Sequence, residues 1–232
     1  MASSKILILG NSHSDAIRRA VTDKDNIEVF WLKSSKSRYG DLDIKEGEAK
    51  IQALAKSDGL VLMNHGALHN VIGLLNHPAR FCLIESYDDS QLAELIPKNV
   101  MKDSLAAMVE TETHVARLSA LASCSTFHIM TPPPKEHLIM PKSDDKKYQG
   151  QVITEAGYAP AVQRLAMWQL ESDVIESYMA KIGVVHVPPP PGTTTPEGYL
   201  HPDYQAKDAT HANAAYGLKV VEQIKTLTSV SA

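Results

Sequence analysis

The run Lys5 to Leu9 is apolar without alternation, and it ends in Gly10-Asn11-Ser12-His13-Ser14. A β-branched, continuous apolar run closed by glycine reads as a strand buried on both faces, which an antiparallel sheet with one wet face does not ask for. Asp15 to Val21 then takes up helical apolar spacing, with Ser14 or Asp15 placed to cap it. The opening unit is therefore strand, tight loop, helix, and the chain repeats it. Ile27 to Leu32 reads as a second strand, Lys45 to Ala55 as a second helix, and Gly59 to Met63 as a third strand.

The middle is more helical, with Leu105 through Leu118 and Leu121 at heptad-like spacing. Phe127 to Met130 reads as a strand that runs out into Thr131-Pro132-Pro133-Pro134. From 131 to 157 the sequence is polar and rich in Pro, Lys and Asp, longer than the ~12–15 residues usual for a structureless connection, which suggests a lid or mobile loop. Ala159 to Ile182 reads as a long amphipathic helix, Val184 to Val187 as the last strand, and the residues through Leu218, Val221 and Ile224 as a closing helix. Strands alternating with helices imply an α/β fold: a three-layer α/β/α sandwich with a central, mostly parallel sheet, here expected as one domain over residues 1–232. In such a sheet the carboxyl ends of the strands are where ligands sit.

Charge and composition narrow the function classes. With 23 basic against 27 acidic residues, net −4, the chain offers no footprint for a polyphosphate backbone, so nucleic acid is not expected as a partner. No apolar run approaches the ~20 residues that cross a bilayer, so no membrane partner is expected and a cytoplasmic location is. The two cysteines, Cys82 and Cys124, lack C-x-x-C spacing and read as buried free thiols rather than a zinc or redox site. Oligomeric state leaves no mark in the sequence.

Two short segments carry chemistry. In Gly10 to Ser14 a serine sits on a sharp strand-to-helix turn beside unpaired backbone N–H groups, which is what a nucleophilic serine needs and equally what a helix-capping serine looks like. The turn lacks the glycines of a dinucleotide fingerprint and the Gly-Lys-Ser of a P-loop. In Asp208-Ala209-Thr210-His211 a carboxylate three residues before an imidazole can fold back, fix its tautomer and stabilise the imidazolium, or can be an ordinary turn beside a surface histidine.

Taken together, a Gly-x-Ser turn after the first strand and an Asp-x-x-His block before the last helix resemble the SGNH or GDSL hydrolase family in order and in near-full span. The resemblance implies a serine esterase with Ser12 as nucleophile, His211 as base and Asp208 orienting the histidine. It also implies an oxyanion hole made by the Ser12 N–H, Gly40 in Arg38-Tyr39-Gly40-Asp41, and Asn64 in Leu62-Met63-Asn64-His65-Gly66. The chain departs from the family in reading Gly-Asn-Ser for Gly-Asp-Ser and in lacking Gly-x-Asn-Asp around Asn64, where Gly66 and Asn70 are close competitors. The expected substrate is a small-molecule or carbohydrate ester with a short acyl group such as acetyl, hydrolysed or transferred without a cofactor.

The other histidines have plainer readings. His13 adjoins Ser12 and is expected to line the pocket, with His65 a second substrate-side candidate. His65 and His69, four apart, could share a helix face as metal ligands, but no third ligand with zinc-site spacing accompanies them, so no metal is expected. His128 and His186 fall inside apolar strands, and Trp31 and Trp168 fit core positions. The rival function is a non-catalytic Rossmann-like domain that binds a phosphorylated small molecule at the Gly10–Ser14 turn, with Asp208 and His211 merely structural.

Overall fold

A computed structural model describes residues 4–33, 39–76, 81–83 and 94–230. Five parallel strands form the central sheet: β1 (Ile6–Gly10), β2 (Ile27–Trp31), β3 (Gly59–Met63), β6 (Ser125–Ile129) and β9 (Val185–Val187), in the order β2-β1-β3-β6-β9. All five were legible as apolar runs. Two smaller pairings were not: parallel β4 (Phe81–Leu83) with β5 (Glu94–Ile96), and the antiparallel hairpin of β7 (Lys147–Tyr148) with β8 (Gln151–Val152). The helices are α1 (Asp15–Arg18), α2 (Ile44–Gln52), α3 (Leu68–Gly73), α4 (Lys98–Thr111), α5 (His114–Leu121), α6 (Ile153–Ala156), α7 (Ala161–Lys181) and α8 (Ala214–Val230).

The period-2 geometry of β1 sorts its side chains to two layers. Ile6 and Ile8 pack with Ala16 and Ile17 of α1 and with Tyr216, Val220, Val221 and Ile224 of α8. Leu7 and Leu9 face the opposite layer, where Ile51 of α2, Leu105 and Val109 of α4, Val115 and Leu118 of α5, and Leu170, Val174 and Ile175 of α7 close the core. The central strands β1 and β3 are covered on both sides, which is why they read as unbroken apolar runs. The expected single helical run around Leu105 to Leu121 is two helices. The backbone leaves helical geometry at Glu112 (φ −89°, ψ 79°), and the chain starts again at His114.

Gly217 sets the distance between α1 and α8. A Cβ there would lie 1.9 Å from the carbonyl oxygen of Ala16, so only glycine allows the two backbones to meet this closely. At the other end of the sandwich, α2 begins with a reciprocal capping box between Asp43 and Glu46.

Of the stretch 131–157, residues 131–135 are buried, and Trp168 Nε1 donates to the Thr131 carbonyl at 3.1 Å. Residues 142–147 are exposed, and the hairpin and α6 follow. Trp31 is only half-buried, with the Arg18 guanidinium 4.6 Å above its ring. Cys124 is a free, half-buried thiol whose pKa is raised by burial; the side chain of Cys82 lies outside the described residues. Among the described residues no helix is long and apolar enough to cross a membrane.

Candidate active site

The first turn is built around Asn11. A side chain at Gly10 would meet Met63 Cβ at 2.9 Å and Ser14 Cβ at 3.0 Å, so the chain turns in the space that glycine leaves. Asn11 Oδ1 accepts the His13 N–H at 2.9 Å, and the Asn11 carbonyl accepts both the Ser14 N–H at 3.0 Å and the Ser14 hydroxyl at 2.8 Å. Ser14 is thereby fully buried with its hydroxyl committed. Ser12, between them, is half-buried and presents its Oγ at the carboxyl edge of the sheet.

The second segment is a closed loop. Ala206 N–H donates to the His211 carbonyl at 3.1 Å and Asn213 N–H to the Tyr204 carbonyl at 2.8 Å, while Asn213 Oδ1 takes the N–H groups of Ala215 and Tyr216 at the start of α8. Inside it, Asp208 Oδ1 accepts the N–H groups of Thr210 (2.9 Å) and His211 (2.8 Å). The other oxygen, Oδ2, stands 3.1 Å from His211 Nδ1. Burial opposes ionisation of Asp208, but the hydrogen bonds from His211 and Thr210 outweigh it and hold the carboxyl well below the usual carboxylate range. A carboxylate only accepts, so Nδ1 carries the proton and Nε2 presents its lone pair outward. That Nε2 lies 2.9 Å from Ser12 Oγ, across 199 positions of sequence.

The structure thus brings Ser12, His211 and Asp208 into one chain of hydrogen bonds, in the arrangement that lets an imidazole take a hydroxyl proton. His13 completes the face: its buried ring lies 4.5 Å from the His211 ring. Burial, reinforced by His211 and His69, pushes the His13 pKa down to about 3, so its ring is neutral and does not compete with His211 for a proton.

The two remaining oxyanion candidates are on elements that end at the same edge. Asn64 follows Met63, the residue paired with Gly10, and its Oδ1 is buried without a protein partner. Gly40 (φ 137°) lies in a loop that folds back on the end of β2. There the Asp41 carboxylate accepts Trp31 N–H at 2.8 Å and Arg18 Nη1 at 3.0 Å. His65 is buried, with Nδ1 3.3 Å from Glu112 and its ring edge-on to Tyr178. The i,i+4 partner His69 instead pairs through Nδ1 with Glu171 at 2.6 Å, and Glu171 also takes the N–H groups of Leu68 and His69. Among the described residues no group of three or more His, Cys, Asp or Glu side chains is arranged to hold a metal.

Glu171 and Lys135 were not foreseen. Glu171 is fully buried and stands three residues after Trp168 and four before Ile175, so an acidic residue on the apolar stripe of α7 was the available signal. Lys135, buried after three prolines, donates to the carbonyls of Ala206 (2.7 Å) and Asp208.

No protein-family model matches the chain, and no curated protein matches it in sequence. Solved structures do match its fold. A carbohydrate acetylesterase family member from Sinorhizobium meliloti superposes with a TM-score of 0.51 at 9% identity, covering 99% of both chains. A second carbohydrate acetylesterase from the same organism gives 0.50 at 10% identity, covering 98% of this chain and 99% of that one. The chain shares the three-layer α/β/α fold of these two acetylesterases, with its central parallel sheet. In this sandwich the Ser12 turn follows the first strand and the Asp208–His211 loop leads into the last helix.

Proposed function

We propose that the protein is a serine esterase of the SGNH/GDSL type, removing a short acyl group from an alcohol. The observation that carries this reading is the 2.9 Å contact of His211 Nε2 with Ser12 Oγ, backed by the 3.1 Å contact of His211 Nδ1 with Asp208. Ser12 Oγ attacks the ester carbonyl while His211 Nε2 takes its proton, and Asp208 stabilises the imidazolium without itself being protonated. The tetrahedral oxyanion is held by the Ser12 N–H, Gly40 and Asn64. Collapse breaks the bond to the alcohol oxygen, which leaves with the proton from His211, and Ser12 keeps the acyl group. Water, or a second alcohol in a transferase, then repeats the steps in reverse to free the enzyme.

The acyl group we favour is acetyl and the alcohol a carbohydrate hydroxyl, after the activity of the two acetylesterases that share the fold. The phosphate-binding alternative has less to stand on. It needs free N–H groups at the Gly10–Ser14 turn, and those of His13 and Ser14 are taken up by Asn11.

The test is covalent. A fluorophosphonate should add one adduct by intact mass, mapping to Ser12 and not to Ser14, and Ser12→Ala and His211→Ala should abolish both labelling and p-nitrophenyl acetate turnover with little change in melting temperature. Asp208→Asn should lose on the order of 10⁴-fold, as in protease triads, and far less than additively in combination with His211→Ala. An unlabelled wild-type protein, or an active His211→Ala variant, overturns the reading.

A further inference from the structure

The triad's acid belongs to a loop, and a loop carboxylate about half exposed needs something to hold its backbone. What holds it comes from the strap that leaves β6. Arg164, buried in α7, donates to the carbonyls of Ala159 at 3.0 Å, Glu136 at 2.9 Å and Lys135. Pro134 offers its carbonyl to the Leu200 N–H at 3.0 Å, so the strap is fixed on both sides. From this fixed backbone the Lys135 side chain, 3% exposed as a residue, reaches into the Asp208 loop and donates from Nζ to two of its carbonyls, those of Ala206 and Asp208.

A buried ammonium bonded to carbonyls alone is an expensive way to close a loop. A neutral side chain could fill the same space without a desolvated charge. Burial pulls the Lys135 amino group down, and the nearby Asp208 charge is the influence that pulls it back up. The cation and the carboxylate are therefore coupled although no direct ion pair joins them. One end of Asp208 faces Lys135 through its carbonyl and the other faces His211 through its carboxylate.

We propose that Lys135 is a positioning residue of the triad: its buried ammonium clamps the carbonyls of Ala206 and Asp208 and so keeps the Asp208 carboxylate under His211 Nδ1. Lys135 touches neither substrate nor Ser12, and it acts only through Asp208. The inference rests on the esterase reading for its kinetic consequences and on the structure alone for its geometric one.

Lys135→Met keeps the length and apolar stem of the side chain and removes the donors and charge. It should lower kcat on p-nitrophenyl acetate by about 10- to 100-fold, the scale of an ångström-sized misplacement, with KM within twofold of wild type. In an Asp208→Asn background the same change should cost less than threefold, because the group through which it acts is already lost. A crystal structure of Lys135→Met should show the 206–208 segment displaced and the Asp208 to His211 Nδ1 contact broken. Should Lys135→Met not fold, Lys135→Gln, which keeps an N–H donor without the charge, carries the same comparison. A wild-type kcat, a loss of equal size in the Asp208→Asn background, or an undisturbed Asp208–His211 contact overturns the proposal. Failure of wild-type protein to take the phosphonate at Ser12 overturns the esterase reading instead and leaves the crystallographic comparison standing.

Discussion

Asn64 carries an oxygen that is buried without a partner and an amide placed at the residue after Met63, beside the Ser12 turn. If its N–H meets the carbonyl oxygen above Ser12, the bond strengthens as negative charge develops, and its loss is felt in kcat rather than KM. Asn64→Ala should therefore depress kcat by roughly 10²–10³, about 2.7–4 kcal/mol, with phosphonate labelling slowed but detectable. Steady-state kinetics of Asn64→Ala beside Asn70→Ala decides the matter; the larger kcat loss in the latter would move the donor into α3. At this scale the sequence was most readable where partners are close along the chain. Asp208 and His211 are three apart and fold back on one another. Glu171 lies 102 positions from His69, and Lys135 71 from Ala206, so no local spacing announces those bonds.

Between elements, the contact of α1 with α8 matters most, because Ser12 precedes one helix and His211 the other. Gly217→Ala would gain about 0.8–1.0 kcal/mol in helix propensity. It would also place a methyl 1.9 Å from a backbone carbonyl that cannot rotate away, and overpacking of this kind costs typically 1–3 kcal/mol. The clash should win: a lower melting temperature by calorimetry, together with slower phosphonate labelling as α8 and its preceding loop move away from α1. A variant as stable and as reactive as wild type would show that the helices part at no cost to the site. The central strands β1 and β3 were legible because burial on both faces leaves an unbroken apolar run, whereas β4, β5, β7 and β8, of two or three residues each, are too short to show a period. The break between α4 and α5 escaped because apolar residues continue at helical spacing on either side of Glu112.

For the molecule as a whole, three histidines whose ordinary protonation is opposed by burial bear on stability in acid. His13 is pushed down to about 3 by burial and by His211 and His69; His128 is lowered well below its ordinary value by burial, then by His186 and His65; His186 is lowered by burial. His128 and His186 sit opposite in neighbouring strands with Nδ1 atoms 3.2 Å apart, so one donates to the other and both cannot be charged. An unfolded chain protonates these three imidazoles near pH 6.5, and the folded chain at lower pH. On acidification the unfolded state thus gains protons that the native state refuses, and stability falls by about 1.4 kcal/mol per pH unit for each refused proton. Urea midpoints should drop from pH 6.5 downward, earlier than carboxylate titration alone would give, and His128→Leu should flatten the slope; a midpoint unchanged between pH 7 and 5 would contradict this. The 199 positions between Ser12 and His211 also set a schedule. At roughly 5–20 residues per second a ribosome delivers His211 about 10–40 s after Ser12, and until α8 docks on α1 the Ser12 hydroxyl lacks its imidazole partner. If Ser12 and His211 act as proposed, the nascent protein is chemically silent while it is being made, and the first appearance of Ser12 reactivity would mark the moment at which the last layer closes.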